Sequence, residues 1–284
     1  MSCAVFFYTR RYSDLNSSKT VQALVESAMM VALATVLSIF KIIDMPYGGS
    51  VTIASMLPMI ILAYRQGVVW GLGSGLVYAA IQQLLGLSTL SYVTGWQSVL
   101  AVIMLDYIVA FAVVGFGGIF RKLARTQRSA LMAGAGLVSL LRYVCHVIAG
   151  ATVWVGLSIP NEAALIYSIG YNATYMLPEA IILIAVAYYL GGAIDFSKAT
   201  PVRMVSTADS KKYASLYLLA GLSFLLGLII DVWLIAPCLQ DEETGEFIFK
   251  GLQNVEWIAV AVVTVLTVIL GSVIIAIAKR KEKE

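Results

Sequence analysis

"RYVCHVIAGATVW", residues 142–154, lies inside an apolar run over about residues 129–157, yet it carries an arginine, a tryptophan and the only histidine of the chain. A bilayer core of roughly 30 Å takes about 20 mostly apolar helical residues per crossing, and this run is long enough to make one. Ionisable side chains at that depth cost roughly 3 kcal/mol each on insertion scales, and they normally face a bundle interior or a water-filled cavity. Arg142, His146, Gly150 and Trp154 recur at every fourth position, so they form a slowly drifting stripe on one face of a helix. The stretch therefore predicts a membrane helix with one polar face turned away from lipid.

The rest of the chain repeats the apolar pattern. Of 284 residues, 60% are hydrophobic and 12% charged, and the mean hydropathy is +0.89. These values exclude an ordinary soluble domain. Apolar runs predict membrane spans over residues 20–42, 51–64, 67–86, 97–120, 129–157, 163–192, 213–236 and 255–278. The second is short and carries Pro58, which fits a tilted or partly re-entrant helix buried by its neighbours. Turn chemistry separates the spans at Pro46-Tyr47-Gly48-Gly49, Arg65-Gln66-Gly67 and Pro160-Asn161. The expected architecture is an all-α integral membrane protein. It comprises a leader (1–19), a six-helix membrane domain (20–192), a linker (193–212) and a two-helix transmembrane extension with a basic tail (213–284).

Basic residues set the orientation. Arg10, Arg11, Lys19, Arg65, Arg121, Lys122, Arg125, Arg128, Lys198, Arg203, Lys211, Lys212, Lys279, Arg280, Lys281 and Lys283 all fall on one side. Lys41 and Lys250 alone occupy the opposite loops. By the positive-inside rule both termini are expected in the cytoplasm. With that assignment the basic loops are topology signals, and a net charge of +3 gives no reason to expect nucleic-acid binding. The segment "MSCAVFFYTRRYSDLNSSK" has its arginines after the apolar stretch, the reverse of a secretory signal peptide, so a cytoplasmic leader is expected. Cys3, Cys145 and Cys238 are odd in number and far apart, which gives no disulfide framework. One histidine excludes the usual zinc clusters, and no nucleotide-binding or Ser-His-Asp pattern is present, so no cofactor and no catalytic role are expected.

Two further spans place polar groups at the depth of the stripe. "LDYIVAF" (105–111) puts Asp106 and Tyr107 roughly 14 Å below the outer surface. "YSIGYNATYMLPEA" (167–180) adds Tyr167, Tyr171, Asn172, Tyr175 and Glu179, the first four in the outer half. The plain structural alternative pairs Asp106 with Arg142, bonds His146 to a helix carbonyl and leaves Tyr167 and Trp154 in the aromatic belt. It leaves an extra amide and imidazole at the same depth without a purpose, so a ligand site is preferred. Asp195 and Glu162 fall near span ends, where solvation suffices. Asp231 lies deep in the seventh span beside Trp233, and sequence supplies no partner for it. A carboxylate among Trp and Tyr faces suits an organic cation with an aromatic body. An amide such as Asn172 offers a donor and an acceptor side by side, the arrangement that reads an aminopyrimidine-like edge.

The segments "GGSVTIASMLPMIILAYRQGVVWGLGSGLVYAAIQQLLG" (48–86), "LDYIVAF", "RYVCHVIAGATVW" and "YNATYMLPEA" (171–180), in this order, resemble the ThiT family. These are the thiamine-specific substrate-binding (S) components of energy-coupling factor (ECF) transporters. The resemblance covers about residues 20–192. It implies a six-helix membrane protein that captures thiamine near the outer surface of the cell membrane and associates with a transmembrane coupling subunit and two cytoplasmic ATPases. It further implies a binding set of Asp106, Tyr107, Arg142, His146, Gly150, Trp154, Tyr167 and Asn172. In that set Asp106 faces the thiazolium charge, Trp154 stacks on a ring, and His146, Tyr167 and Asn172 bond the pyrimidine or hydroxyethyl groups. Two positions depart from the family pattern. Asp106 stands where Glu is common, and the outer loop "IDMPYGGS" (43–50) offers Tyr47 where a lid tryptophan is common.

On the first span, Ala28 and Ala32 have the small-xxx-small spacing that lets helices approach closely, as do Ala23 and Ser27. In S components a similar alanine motif docks on the coupling subunit, so Ala28 and Ala32 are expected to serve there. The last two spans, with the linker "DFSKATPVRMVSTADSKKY" (195–213) and the loop "QDEETGEFIFKG" (240–251), lie outside the resemblance. Open alternatives are a self-sufficient proton-coupled transporter of a small organic cation, with Asp106, His146 and Asp231 carrying protons, and an S component for a thiamine precursor or phosphate. No pair of broken helices recurs in two halves, which counts against the first.

Overall fold

The structure is a computed structural model that describes residues 2–45, 48–155, 159, 164–204, 208–235, 238 and 249–281. Helix α1 (Ser2–Ile39) is one continuous helix whose stretch Lys19–Ile39 is long and apolar enough to cross a membrane. It stops short of residue 42, where the first span was expected to end. The chain instead turns into β1 (Lys41–Asp44), which pairs antiparallel with β2 (Ser50–Thr52) in the register Ile43↔Val51 and Asp44↔Ser50. The β-branched Ile42, Ile43 and Val51 favour the extended backbone. The positive φ of Gly48 (103°) and Gly49 (92°) lets the chain reverse.

The expected second span, 51–64, is the clearest correction. Its first residues belong to β2, Ala54 has a positive φ of 53°, and only then does α2 (Leu57–Gln66) begin, with Pro58 in its first turn. Ten residues rise only about 15 Å, too little to cross a bilayer. Every residue from Leu57 to Tyr64 is buried, so α2 is a core helix wrapped by its neighbours. Helix α3 (Val68–Leu85) follows directly after Gly67, then a short 3₁₀ turn (Leu87–Tyr92) and the helical stretch α4 (Trp96–Arg121). Gly115 of α4 lies so close to α3 that a Cβ there would stand 2.3 Å from the Leu72 nitrogen; no other residue fits.

Helix α5 (Gln127–Thr152) starts from a reciprocal cap in which Thr126 and Ser129 bond each other's backbone N–H groups. It ends before residue 157, where the span was expected to end. The Ala149 carbonyl accepts from both Val153 and Trp154, and the second, a wider i→i−5 bond, closes the helix. Helix α6 (Ala164–Ala193) runs back antiparallel to α5 and carries Pro178 inside it. The core gathers Leu57, Met59, Ile60, Ile61, Leu62 and Tyr64 of α2 with Val31 and Ala34 of α1, Tyr78 of α3, Val114 of α4, Leu131 and Val138 of α5, and Leu183 of α6.

The chain divides into two compact units, Met1–Val202 and Arg203–Glu284. The second contains α7 (Ala208–Ile235) and α8 (Trp257–Lys281). Within it Thr264 donates to Asp231 Oδ2 at 2.7 Å, which supplies the partner that sequence could not name. Gly227 and Gly271 bring α7 and α8 close against Thr267 and Phe224. Six stretches among the described residues have the length and composition of membrane spans: Lys19–Ile39, α3, α4, α5, α6 and Trp257–Ala278. The protein is a multi-pass, α-helical membrane protein.

Candidate functional site

Within the first unit a cavity of about 450 Å³ opens between the β1–β2 hairpin and helices α3, α4, α5 and α6. The hairpin leans directly on α6. Tyr171 donates to the Gly48 carbonyl at 3.4 Å, and a Cβ on Gly49 would stand 2.8 Å from the Tyr175 ring. Tyr47, expected to line the outer loop, lies outside the described residues, as does Glu162.

Asp106 lies on a π-helical turn, Ile103–Val109, inside α4. Such turns bulge the backbone and recur at functional sites. Both carboxylate oxygens are held from α5 and its end: Oδ1 lies 2.8 Å from His146 Nδ1, and Oδ2 accepts the Trp154 indole N–H at 2.9 Å. The Asp106 side chain is 14% exposed and that of His146 13%. A carboxylate only accepts, so His146 Nδ1 carries a proton and donates to Asp106. Trp154 was expected on the α5 stripe; it lies just past the helix end, where that stripe continues into the turn.

The pairing of Asp106 with Arg142, the plain structural alternative, does not occur. Arg142 is 7% exposed and pairs with Glu179 at 3.1 Å, contacts the Met56 sulfur at 2.8 Å, and lies 4.7 Å above the centre of the Phe111 ring. Glu179 also accepts from Thr52 at 2.7 Å, and Thr52 bonds Ser55. Hence a buried ion pair at the end of the cavity remote from the hairpin tip is tied to the base of β2.

Asn172 is 4% exposed and its amide is used by the protein. Nδ2 donates to the Ser168 carbonyl at 2.9 Å and to the His146 carbonyl at 3.3 Å, while Oδ1 accepts from Tyr175 at 2.6 Å. It lines the cavity as a cross-link between α5 and α6 rather than as a free reader of an edge. Gly150 makes that cross-link possible, since a Cβ there would fall 2.2 Å from Ser168 Oγ. Tyr107 stacks on Phe111 and donates to the Gly86 carbonyl at 3.2 Å. Asp106, Tyr107, Arg142, His146, Gly150, Trp154 and Asn172 all border the cavity; Tyr167 is not among its lining residues, and Tyr171 and Tyr175 take that wall.

Glu179 and Tyr175 were singled out in the sequence but left outside the expected set. The signal was present: Glu179 follows Asn172 by seven residues, two helical turns, and Tyr175 follows it by three, so all share a face. Met56, Thr52, Tyr78 and Phe111 had no such signal. Among the described lining residues three carboxylates, Asp44, Asp106 and Glu179, stand against two permanent cations, Lys41 and Arg142. Lys41 and Asp44 neutralise each other at 3.0 Å on the exposed hairpin, and Arg142 and Glu179 do so in the interior. The carboxylate left over is Asp106, held by His146 and Trp154.

A membrane bundle built around a partly enclosed, aromatic chamber with one surplus carboxylate has the chemistry to hold a small organic cation. Residues 24–197 match the thiamine transporter protein family (Thia_YuaJ), and the chain belongs to that family. It is 36% identical over 179 residues to the thiamine transporter ThiT of Bacillus subtilis (strain 168), covering 59% of this chain and 89% of that protein. Its fold is similar to that of a crystallised ThiT from Listeria monocytogenes, with a TM-score of 0.51 at 23% identity over 61% of this chain and 94% of the other.

Proposed function

We propose that this chain is the substrate-capturing S component of an ECF-type importer, holding thiamine in the cavity between the hairpin and α4–α6. The observation that carries the reading is the Asp106 carboxylate, held by His146 and Trp154 and, among the described lining residues, the only carboxylate without a lysine or arginine partner. A thiazolium cation beside it gains charge pairing and the faces of nearby aromatic rings in a partly enclosed site. The cavity volume of about 450 Å³ lies in the usual range of roughly 300–1,000 Å³ for small-ligand sites. Tyr107, Tyr171, Tyr175 and Trp154 supply the aromatic walls, His146 a hydrogen-bonding ring nitrogen, Nε2, and Asn172 and Gly150 the close α5–α6 contact that shapes the floor.

Capture from outside requires the hairpin end to face the exterior and both termini to face the cytoplasm, the orientation the basic loops favour. Helices α7 and α8 then form an additional transmembrane pair in the cell membrane. Energy comes from a separate coupling subunit with two ATPases. Ala28 and Ala32 are exposed on α1 while Ala23 and Ser27 are buried in the bundle, so the first pair is free to meet that subunit. Purified alone, the protein should bind thiamine one to one, seen as quenched tryptophan fluorescence, without ATP or an ion gradient. Accumulation of thiamine in proteoliposomes driven by a proton gradient, with no ATPase present, would overturn the S-component reading.

A further inference from the structure

We infer that Glu179 sets the specificity of the cavity for the unphosphorylated cation, by occupying the arginine that would otherwise receive a phosphate ester. The inference rests on the thiamine reading above and deepens it.

Arg142 stands one helical turn, roughly 6 Å, from His146 along α5, on the side away from the hairpin tip. The arm that bears the ester in a phosphorylated thiamine branches from the cationic ring itself. With that ring beside Asp106, an arm directed one turn along α5 would meet Arg142, which lines the cavity. A lone buried arginine there is a phosphate receptor, since its planar fork matches phosphate oxygens. This one is not alone. Glu179 lies 3.1 Å from it and is fixed in turn by Thr52. The Phe111 ring covers one face of the guanidinium, and its Nε has no hydrogen-bond partner among the described residues. An incoming phosphate, carrying about −1.5 to −2 charges at neutral pH, meets a cation already neutralised and two carboxylates beside it. A neutral hydroxyethyl arm meets no such repulsion. Glu179 acts through Arg142 and is a positioning residue for selectivity.

The test compares three ligands on the purified full-length protein: thiamine, thiamine monophosphate and the O-acetyl ester of thiamine, whose arm is enlarged but uncharged. In the wild type the monophosphate should bind at least about tenfold more weakly than the acetyl ester. In Glu179→Gln the gap between monophosphate and thiamine should narrow by at least about tenfold, because Arg142 is released. In Glu179→Gln combined with Arg142→Gln, where the local charge is again balanced, the gap should return to that of the wild type. Equal rejection of the two esters by the wild type would mean that size, not charge, selects, and overturns the inference. So does an unchanged gap in a Glu179→Gln protein that still binds thiamine, or a double variant that gains monophosphate as the single one does. If Glu179→Gln does not fold, equal rejection of the two esters by the wild type still overturns the inference. Failure of the wild type to bind any of the three refutes the thiamine reading, and this inference falls with it.

Discussion

Replacing Asp106 by Asn removes the surplus charge of the cavity while keeping the shape of the side chain. Two unit charges about 4 Å apart at an effective dielectric of about 20 attract by roughly 4 kcal/mol. The Asp106 side chain is only 14% exposed, so water screens little of that attraction. The amide dipole of Asn recovers part of it, but its NH₂ group then opposes one of the two donors, His146 Nδ1–H or Trp154 Nε1–H, that now bond the carboxylate. The expected net loss is about 2–4 kcal/mol, a rise in Kd of roughly 30- to 1,000-fold. Titration of tryptophan fluorescence in detergent reads the affinity, and thermal unfolding checks that the bundle is intact. Asp106→Glu, which keeps the charge, should recover most of the binding. A folded Asp106→Asn protein whose Kd changes less than about threefold would refute the charge argument.

Arg142→Met alone strands the Glu179 carboxylate in the interior and should cost about 3–5 kcal/mol, seen as a lowered melting temperature. The pair Arg142→Met with Glu179→Leu should regain most of that stability, and if it melts no higher than the single variant the pair is not the cause. Gly150→Ala drives a methyl into Ser168 Oγ and should destabilise the protein and weaken thiamine binding; adding Ser168→Ala removes the clashing oxygen and should restore much of both. Ala28→Leu together with Ala32→Leu changes only an exposed face of α1. Thiamine binding to the isolated protein should stay as in the wild type while ATP-driven uptake by the assembled transporter is lost, and uptake at the wild-type rate would place the docking surface elsewhere.

The helices were largely legible because each is a membrane-length apolar run bounded by turn residues, and α3, α4 and α6 begin and end within about a residue of expectation. The failures have local causes. Hydropathy cannot separate the strand β2 from the helix α2 in residues 51–66, since both are apolar and buried; the β-branched Val51, Thr52 and Ile53 and the helix-starting Pro58 were the local hints. The site's polar members announced themselves by their cost in hydrocarbon, but their pairing did not. Periodicity puts Arg142 and His146 on one face of α5, yet which of them meets Asp106 depends on the offset of α4, and that offset includes a π turn with no sequence signature. Met56 and Phe111, which flank Arg142, look like any other apolar core residue until the fold brings them there.

The short acid at position 106 was a departure from the family pattern, and the geometry shows how it reaches its partners. One methylene is lost relative to Glu, yet Oδ1 and Oδ2 meet their α5-side partners at 2.8 and 2.9 Å, from the bulged turn of α4. Two donors leave a carboxylate with acceptor sites to spare, so a cation can approach without breaking either bond. The carboxylate is thus oriented before ligand arrives, by groups that are themselves fixed: Trp154 by its backbone bond to Ala149, and the α5–α6 contact behind His146 by Asn172. Binding then spends little on ordering side chains, and more of the charge attraction appears as affinity. By the same reasoning, loosening either donor should weaken thiamine binding even where the ring contact survives. Trp154→Phe, which keeps an aromatic face and loses only the N–H, should cost roughly 1 kcal/mol or more, about a fivefold rise in Kd, and an unchanged Kd would show that Asp106 holds its position without it.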